Sequence, residues 1–149
     1  MCNPLGETAL HLTAQKGNEI CAKMLIEAGA NVNGKFHSIG TPLSLSALHG
    51  HIPIMRLLLA HGADANEALH CAARQNDIEV MKVLLEHSQV DANAFDFRRK
   101  TPLEYSCMND EVSVPMIQLL LDHSANPNMH SPNSRPPLWC VAEKGLLEV

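Results

Sequence analysis

This chain repeats itself, and an internal repeat limits the available folds more tightly than any composition does. Thr8-Ala9-Leu10-His11 returns as Thr41-Pro42-Leu43-Ser44, as Thr101-Pro102-Leu103-Glu104 and as Pro136-Pro137-Leu138-Trp139. The far ends of the units recur as well. Gly29-Ala30-Asn31-Val32-Asn33 is answered by Gly62-Ala63-Asp64-Ala65-Asn66, and this pair and the Thr8/Thr41 pair are both offset by 33 residues. A fixed period of that length marks a structural repeat, a unit that cannot bury its apolar face alone. The units must stack, which leaves function to the surface of the stack.

Helical spacing supports the same architecture. Leu25-Ile26, Leu58-Leu59, Leu84-Leu85 and Leu120-Leu121 recur as apolar pairs, each preceded by apolar residues three or four positions earlier, so one face of every second helix is apolar. Ala14, Ala47, Ala73 and Ala142 share one position in the first helices, where small volume allows close helix approach. Thr8, Thr41 and Thr101 stand where a hydroxyl caps a first helix, and Pro42 and Pro102 follow where a missing amide hydrogen is tolerated. Pro53 and Pro115 likewise fall near the start of a second helix. Gly29 and Gly62 suit a left-handed C-cap, and Ser88 and Ser124 in their place should cost stability.

Taken together, these motifs resemble the ankyrin repeat family over essentially the whole chain. The repeats run approximately 3–33, 34–66, 67–93, 94–128 and 129–149, the last incomplete, within one domain spanning 1–149. The resemblance implies an all-α solenoid of stacked helix-turn-helix units with short β-hairpin fingers between them. Thr41, Thr101 and Pro136 stand eight positions after Asn33, Asn93 and Asn128, enough for a finger each. Asn66, by contrast, is followed almost at once by Ala68-Leu69-His70, so the finger between repeats two and three should be largely deleted. Asp110-Glu111-Val112-Ser113 lengthens the turn inside repeat four, and repeat three gains a residue near Gln89-Val90. Without a polar capping helix at either end, the chain is expected to be a segment of a longer array, the alternative being a truncated gene product.

Chemistry of other kinds finds little support. His61, His87 and His123 share one repeat position, so stacking should space them by roughly 10 Å, beyond the reach of ligands held about 2 Å from one ion. His11 and His70 occupy the family's structural histidine position. Cys21, Cys71, Cys107 and Cys140 fall on helices where apolar residues are expected, and Cys2 is terminal. No phosphate-cradling glycine loop, nucleophile elbow or paired-carboxylate arrangement appears, so neither a catalytic residue nor a metal or other cofactor is expected. A formal net charge of −5 argues against nucleic acid, which needs a broad basic footprint. No apolar run approaches a membrane span. Five cysteines, an odd count, point to a reducing compartment, cytoplasmic or nuclear.

What remains is recognition of a protein partner by a monomer or by part of a longer array. The resemblance implies contacts from finger tips and from first-helix positions on a concave face. On the fingers these are Lys35, Phe36, His37 and Ser38, then Phe95, Phe97, Arg98, Arg99 and Lys100, then His130, Asn133 and Arg135. On the helices they are Gln15, Lys16, Leu48, His49, Arg74, Gln75, Met108, Asn109, Glu143 and Lys144. Phe95 and Phe97 are the sharpest, because aromatic rings beside arginines are the residue types that most often carry interface energy. The competing expectation is that one ring folds back as local core. Trp139, standing in the structural histidine position, is a weaker candidate.

Asn33, Asn66, Asn93 and Asn128 are expected to bond turn backbone. The resemblance also allows hydroxylation there, which this sequence does not itself show. Two other roles compete with a freestanding interaction module. One is a targeting or regulatory segment of a larger enzyme or signalling protein, such as a ubiquitin-ligase adaptor or a nucleotide-binding receptor. The other is a degenerate fragment, suggested by the lost finger and missing caps.

Overall fold

The structure, a computed structural model, describes residues 7–36, 40–87, 90–109, 112–132 and 134–143. Its regular elements are all helical: α1 (Ala9–Lys16), α2 (Glu19–Glu27), α3 (Pro42–Leu48), α4 (Ile52–Ala60), α5 (Asn66–Gln75), α6 (Ile78–Leu85), α7 (Pro102–Met108), α8 (Val114–Asp122) and α9 (Pro137–Glu143). The chain divides into two compact units, Met1–Cys71 and Ala72–Val149, with the boundary inside α5. In the first, α1 packs on α2 and α3, and α4 on α2 and α3. In the second, α7 packs on α8 and α9, and α6 on α8. The chain is therefore an all-α array of helix-turn-helix repeats, as the period predicts.

Caps set where the first helices begin. Thr8, Thr41 and Thr101 each accept a bond from the amide three residues on, and each closes a reciprocal capping box, with His11, Ser44 and Glu104. Pro42 and Pro102 lie in the first turns of α3 and α7, and Pro53 and Pro115 in those of α4 and α8. Ala14, Ala47 and Ala73 are fully buried, at 0%, 1% and 0% exposure, as close helix contact requires, whereas Ala142 is only half-buried. The second helices contribute the larger core residues: Ile26 on α2, Ile54, Met55 and Leu58 on α4, Val80, Met81 and Leu84 on α6, Met116 and Leu120 on α8.

Several expectations need adjustment. Cys107 is buried and Cys71 and Cys140 are half-buried, but Cys21 is exposed. Ala22 and Ile26 form the buried i, i+4 stripe of α2, and Cys21, a helical step away from it, lies towards the outer side with Ile20 and Met24. Between repeats two and three the link is short, with α4 ending at Ala60 and α5 beginning at Asn66. In repeat four α7 ends at Met108 and α8 begins at Val114, while Asp110 and Glu111, expected to lengthen that turn, lie outside the described residues. Where hairpin fingers are expected, the described residues carry one antiparallel bridge, Phe36 to Gly40, and a tight turn from Asp96 to Lys100, with no strand. Ser88 lies outside the described residues. Ser124 adopts φ 65°, beside 84° at Gly29 and 79° at Gly62, so a side chain does sit in the left-handed conformation.

Candidate functional site

Burial of the described residues between repeats sorts the candidate contacts. Counting three residues on from Asn33, Asn93 and Asn128 reaches Phe36, Asp96 and Ser131. Phe36 is 6% exposed, its ring edge-on to the His11 ring with centroids 6.0 Å apart. Asp96 is half-buried, and its carboxylate accepts the Tyr105 hydroxyl at 2.6 Å and the Arg98 and Lys100 amides at 2.9 Å each. Ser131 is 7% exposed and bonds Glu104. The middle residue thus points inward in all three. Phe36, expected on sequence to meet a partner, is local core.

Beside Phe36 and Asp96 the described neighbours point out. Lys35 is exposed, Phe95 is 40% exposed and Phe97 88%. The Asp96 amide donates to the Lys100 carbonyl and the Arg99 amide to the Asp96 carbonyl, both at 3.0 Å, closing the tip. Arg98 stacks over Phe97 at 5.2 Å and Arg99 over Phe95 at 5.8 Å, ring centroid to guanidinium carbon. Lys100 turns back instead: half-buried, its Nζ lies 3.6 Å from Glu104 and 3.5 Å from Ser134 Oγ. On the neighbouring helices Arg74 stacks over Tyr105 at 5.8 Å, and Met108 is 52% exposed. Asn109 donates its side-chain amide to the Ala73 carbonyl, so part of its capacity is committed to packing.

Tyr105 reports how the finger is anchored. Burial pushes its phenol up to about 12, helped by the hydrogen bond to Asp96 and by that carboxylate's charge, while Arg98 and Arg74 pull it back. The phenol therefore stays protonated and donating at neutral pH. Glu104 is 1% exposed, with Oε2 accepting the Thr101 amide at 3.0 Å and Oε1 accepting the Ser131 amide at 3.1 Å and hydroxyl at 3.0 Å. Burial alone would raise its pKa. The Thr101 and Ser131 amides, with the Ser134 and Ser131 hydroxyls, outweigh it and leave the carboxyl below its ordinary value.

Glu104 is the residue that sequence reasoning passed over. It stands where repeat one carries His11, which is fully buried and whose Nε2 donates to the Gly34 and Gly40 carbonyls at 3.0 and 3.3 Å. Both side chains tie a first helix to the loop that follows, one as donor and one as acceptor. The signal was present in the Thr-Pro-Leu-Glu motif, at the histidine register. His70, also buried, donates Nδ1 to the Asn66 carbonyl at 2.7 Å.

The asparagine register acts as the turn argument requires in two places. Asn33 donates to the Gly62 carbonyl and accepts the Asp64 amide, at 3.0 and 2.8 Å. Asn93 does the same with Ser124 and Asn126, at 3.0 and 2.6 Å.

Of the remaining candidates, Leu48, His49, Arg74, Gln75, Arg135 and Glu143 are exposed. His130 is half-buried against the Ser131 carbonyl. Trp139 is 47% exposed, with Arg135 3.9 Å above its ring and the same guanidinium on Glu143 at 3.1 and 3.2 Å. His37, Ser38, Asn133 and Lys144 lie outside the described residues. No helix among the described residues is long and apolar enough to cross a membrane.

Comparison with known proteins places this surface in context. A family model described as ankyrin repeats (3 copies) matches residues 1–68 and 64–131. The chain is 28% identical over 158 residues to the ankyrin repeat protein YahD of Escherichia coli, covering 99% of this chain and 79% of YahD. It is 31% identical over 124 residues to Ankyrin repeat and SOCS box protein 5 of Mus musculus, covering 79% of this chain and 36% of that one. Against Potassium channel AKT2/3 of Arabidopsis thaliana it is 29% identical over 126 residues, covering 81% of this chain and 15% of the channel. It thus spans most of YahD but well under two thirds of the other two.

Proposed function

This chain belongs to the ankyrin repeat family, and from that premise we propose that it is a non-enzymatic module that binds a protein partner through the Phe95–Lys100 finger and neighbouring first-helix side chains. The repeats themselves indicate a protein-interaction module. One observation carries the finer reading: Phe97 is 88% exposed on a tip that Asp96 and Tyr105 hold in place. A large apolar side chain held in water gains little for the fold and is available to a partner, and a preformed tip lowers the ordering cost of association. Arg74, Gln75, Phe95, Arg98, Arg99 and Met108 would extend the contact in the second unit, and Lys35, Leu48 and His49 would serve in the first.

The partner is a protein rather than nucleic acid or a membrane surface, because the cations form one short cluster in a chain of net charge −5. The described cysteines are free thiols, in keeping with an intracellular setting. A second reading follows from the length of the relatives. Two of them carry the matched stretch inside chains of which it covers 36% and 15%, so this array would act as a targeting or regulatory segment. Reading the genomic frame on either side of residues 1 and 149 separates the two.

The test is capture from lysate on the intact chain and on a Phe95→Ala/Phe97→Ala/Arg98→Ala variant, with circular dichroism confirming that both are equally folded. A protein retained by the first and lost by the second supports the finger. Equal retention moves the contact to the helices. Retention by neither removes the interaction reading for this stretch alone.

A further inference from the structure

Four arginines stack on aromatic rings in the described residues, and all four lie between Arg74 and Trp139. Such pairs occur about once per 70–80 residues, so the second unit is rich in them. One pair is already complete. Arg135 stacks over Trp139 and grips Glu143, with its NH1 atom donating to both carboxylate oxygens. Stacking uses a flat face of the guanidinium and leaves its N–H edge free to meet an acid.

Arg98 over Phe97 and Arg99 over Phe95 repeat the stacked half of that arrangement. Among the described residues neither forms an ion pair. Asp96 and Glu104, close to them in sequence, are engaged elsewhere, Asp96 by two finger amides and Tyr105, Glu104 by Thr101 and Ser131. Arg99 also holds a left-handed backbone, φ 59°, a conformation that disfavours any residue with a side chain. A glycine would fit that turn more cheaply, yet the position carries a cation.

Resting on the interaction reading above, we infer that this finger takes an acidic segment of its protein partner. Its carboxylates fork onto Arg98 and Arg99 as Glu143 does onto Arg135, with an apolar partner side chain against Phe97. Charge complementarity favours this occupant over a basic one, and the chain's overall negative charge keeps acidic segments from binding elsewhere.

The probe is a short labelled peptide alternating Glu with Phe, titrated by fluorescence anisotropy into the intact chain. Gln-for-Glu, Lys-for-Glu and phosphoserine-for-Glu peptides run beside it. The Glu peptide should bind, weaken at least about tenfold in Arg98→Gln/Arg99→Gln, and weaken again as salt rises from about 0.1 to about 1 M. Equal binding of the Gln peptide, preference for Lys, binding of the phosphoserine peptide alone, or no binding would each overturn the inference. The same Arg98→Gln/Arg99→Gln variant enters the capture experiment. A partner lost by the Phe95→Ala/Phe97→Ala/Arg98→Ala variant but retained by Arg98→Gln/Arg99→Gln sinks the acidic segment and leaves the interaction reading standing. A partner lost with both supports the two together.

Discussion

The finger at Phe36–Gly40 and the finger at Asp96–Lys100 share a register and differ in use. In both, the amide of the middle residue donates to the carbonyl four positions on, at 3.0 Å. Phe36 and Asp96 turn inward from that shared frame, one onto the His11 ring and the other onto the Tyr105 hydroxyl. The first finger spends its phenylalanine on the fold. The second carries its phenylalanines on either side of the inward position, where Phe97 stays 88% exposed and Phe95 40%. Backbone register decides direction, and residue identity then decides whether a finger is core or contact.

Alanine substitution at Phe36 and at Phe97 attacks that contrast most directly. Phe36→Ala should cost about 3 kcal/mol, the range for losing a buried aromatic side chain. Phe97→Ala should stay within about 0.5 kcal/mol, as surface changes do. Urea denaturation followed by circular dichroism measures both. Comparable losses at the two sites would mean that the second finger is also core, and the binding proposal would lose its support.

The next contrast lies between His11 and Glu104, one position in two repeats with opposite hydrogen-bond polarity. Glu104→Ala leaves the Thr101 and Ser131 amides without their acceptor and should cost about 2–3 kcal/mol. Glu104→His should not restore it, although histidine is the residue repeat one uses, because the Ser131 amide offers a donor where His11 meets carbonyls. A rescue by histidine would show that shape matters there and polarity does not. Acid gives a second handle. The folded carboxyl lies below its unfolded value, so its contribution is complete above the ordinary carboxylate range and disappears as pH falls through the lowered value. Glu104→Gln should flatten that part of the stability–pH curve.

The period and the caps were legible because both depend on local residue types at fixed spacing. Thr8, Thr41 and Thr101 act as caps wherever the chain leads them into a helix. The fate of Phe36 was not legible from composition, since a phenylalanine on a finger reads as a contact until its phase relative to Asn33 is counted. Cys21 was misplaced for a similar reason: the apolar stripe of α2 runs through Ala22 and Ile26, one step away. Glu104 was visible in the motif but reads as a solvated acid. Only the loop it reaches, 27 residues on, reveals the tie.

A smaller effect is expected at the ends of the second helices. A side chain built on Gly29 or Gly62 would meet nothing within 4 Å, so glycine there serves the backbone angle and not the space. Ser124 accepts the same left-handed angle with a side chain attached, and Ser124→Gly should gain about 1 kcal/mol. No gain in a urea midpoint would mean that the Ser124 side chain offsets its own strain.

The smallest expected signal tests whether the second finger is truly held to α7. The chain has a single tyrosine, so a tyrosinate absorbance titration reads Tyr105 alone. In the native chain its midpoint should lie at about 12, against about 10 in denaturant. A raised phenol stabilises the fold fully below the unfolded value, and this contribution is lost as pH climbs through the folded one. Asp96→Asn removes the charge while keeping an acceptor, so it should lower the native midpoint and leave the burial part in place. A native midpoint near 10 would mean that the hydroxyl is not held by Asp96. The tip would then be free of its anchor, and the low ordering cost that favours it as a binding site would go with it.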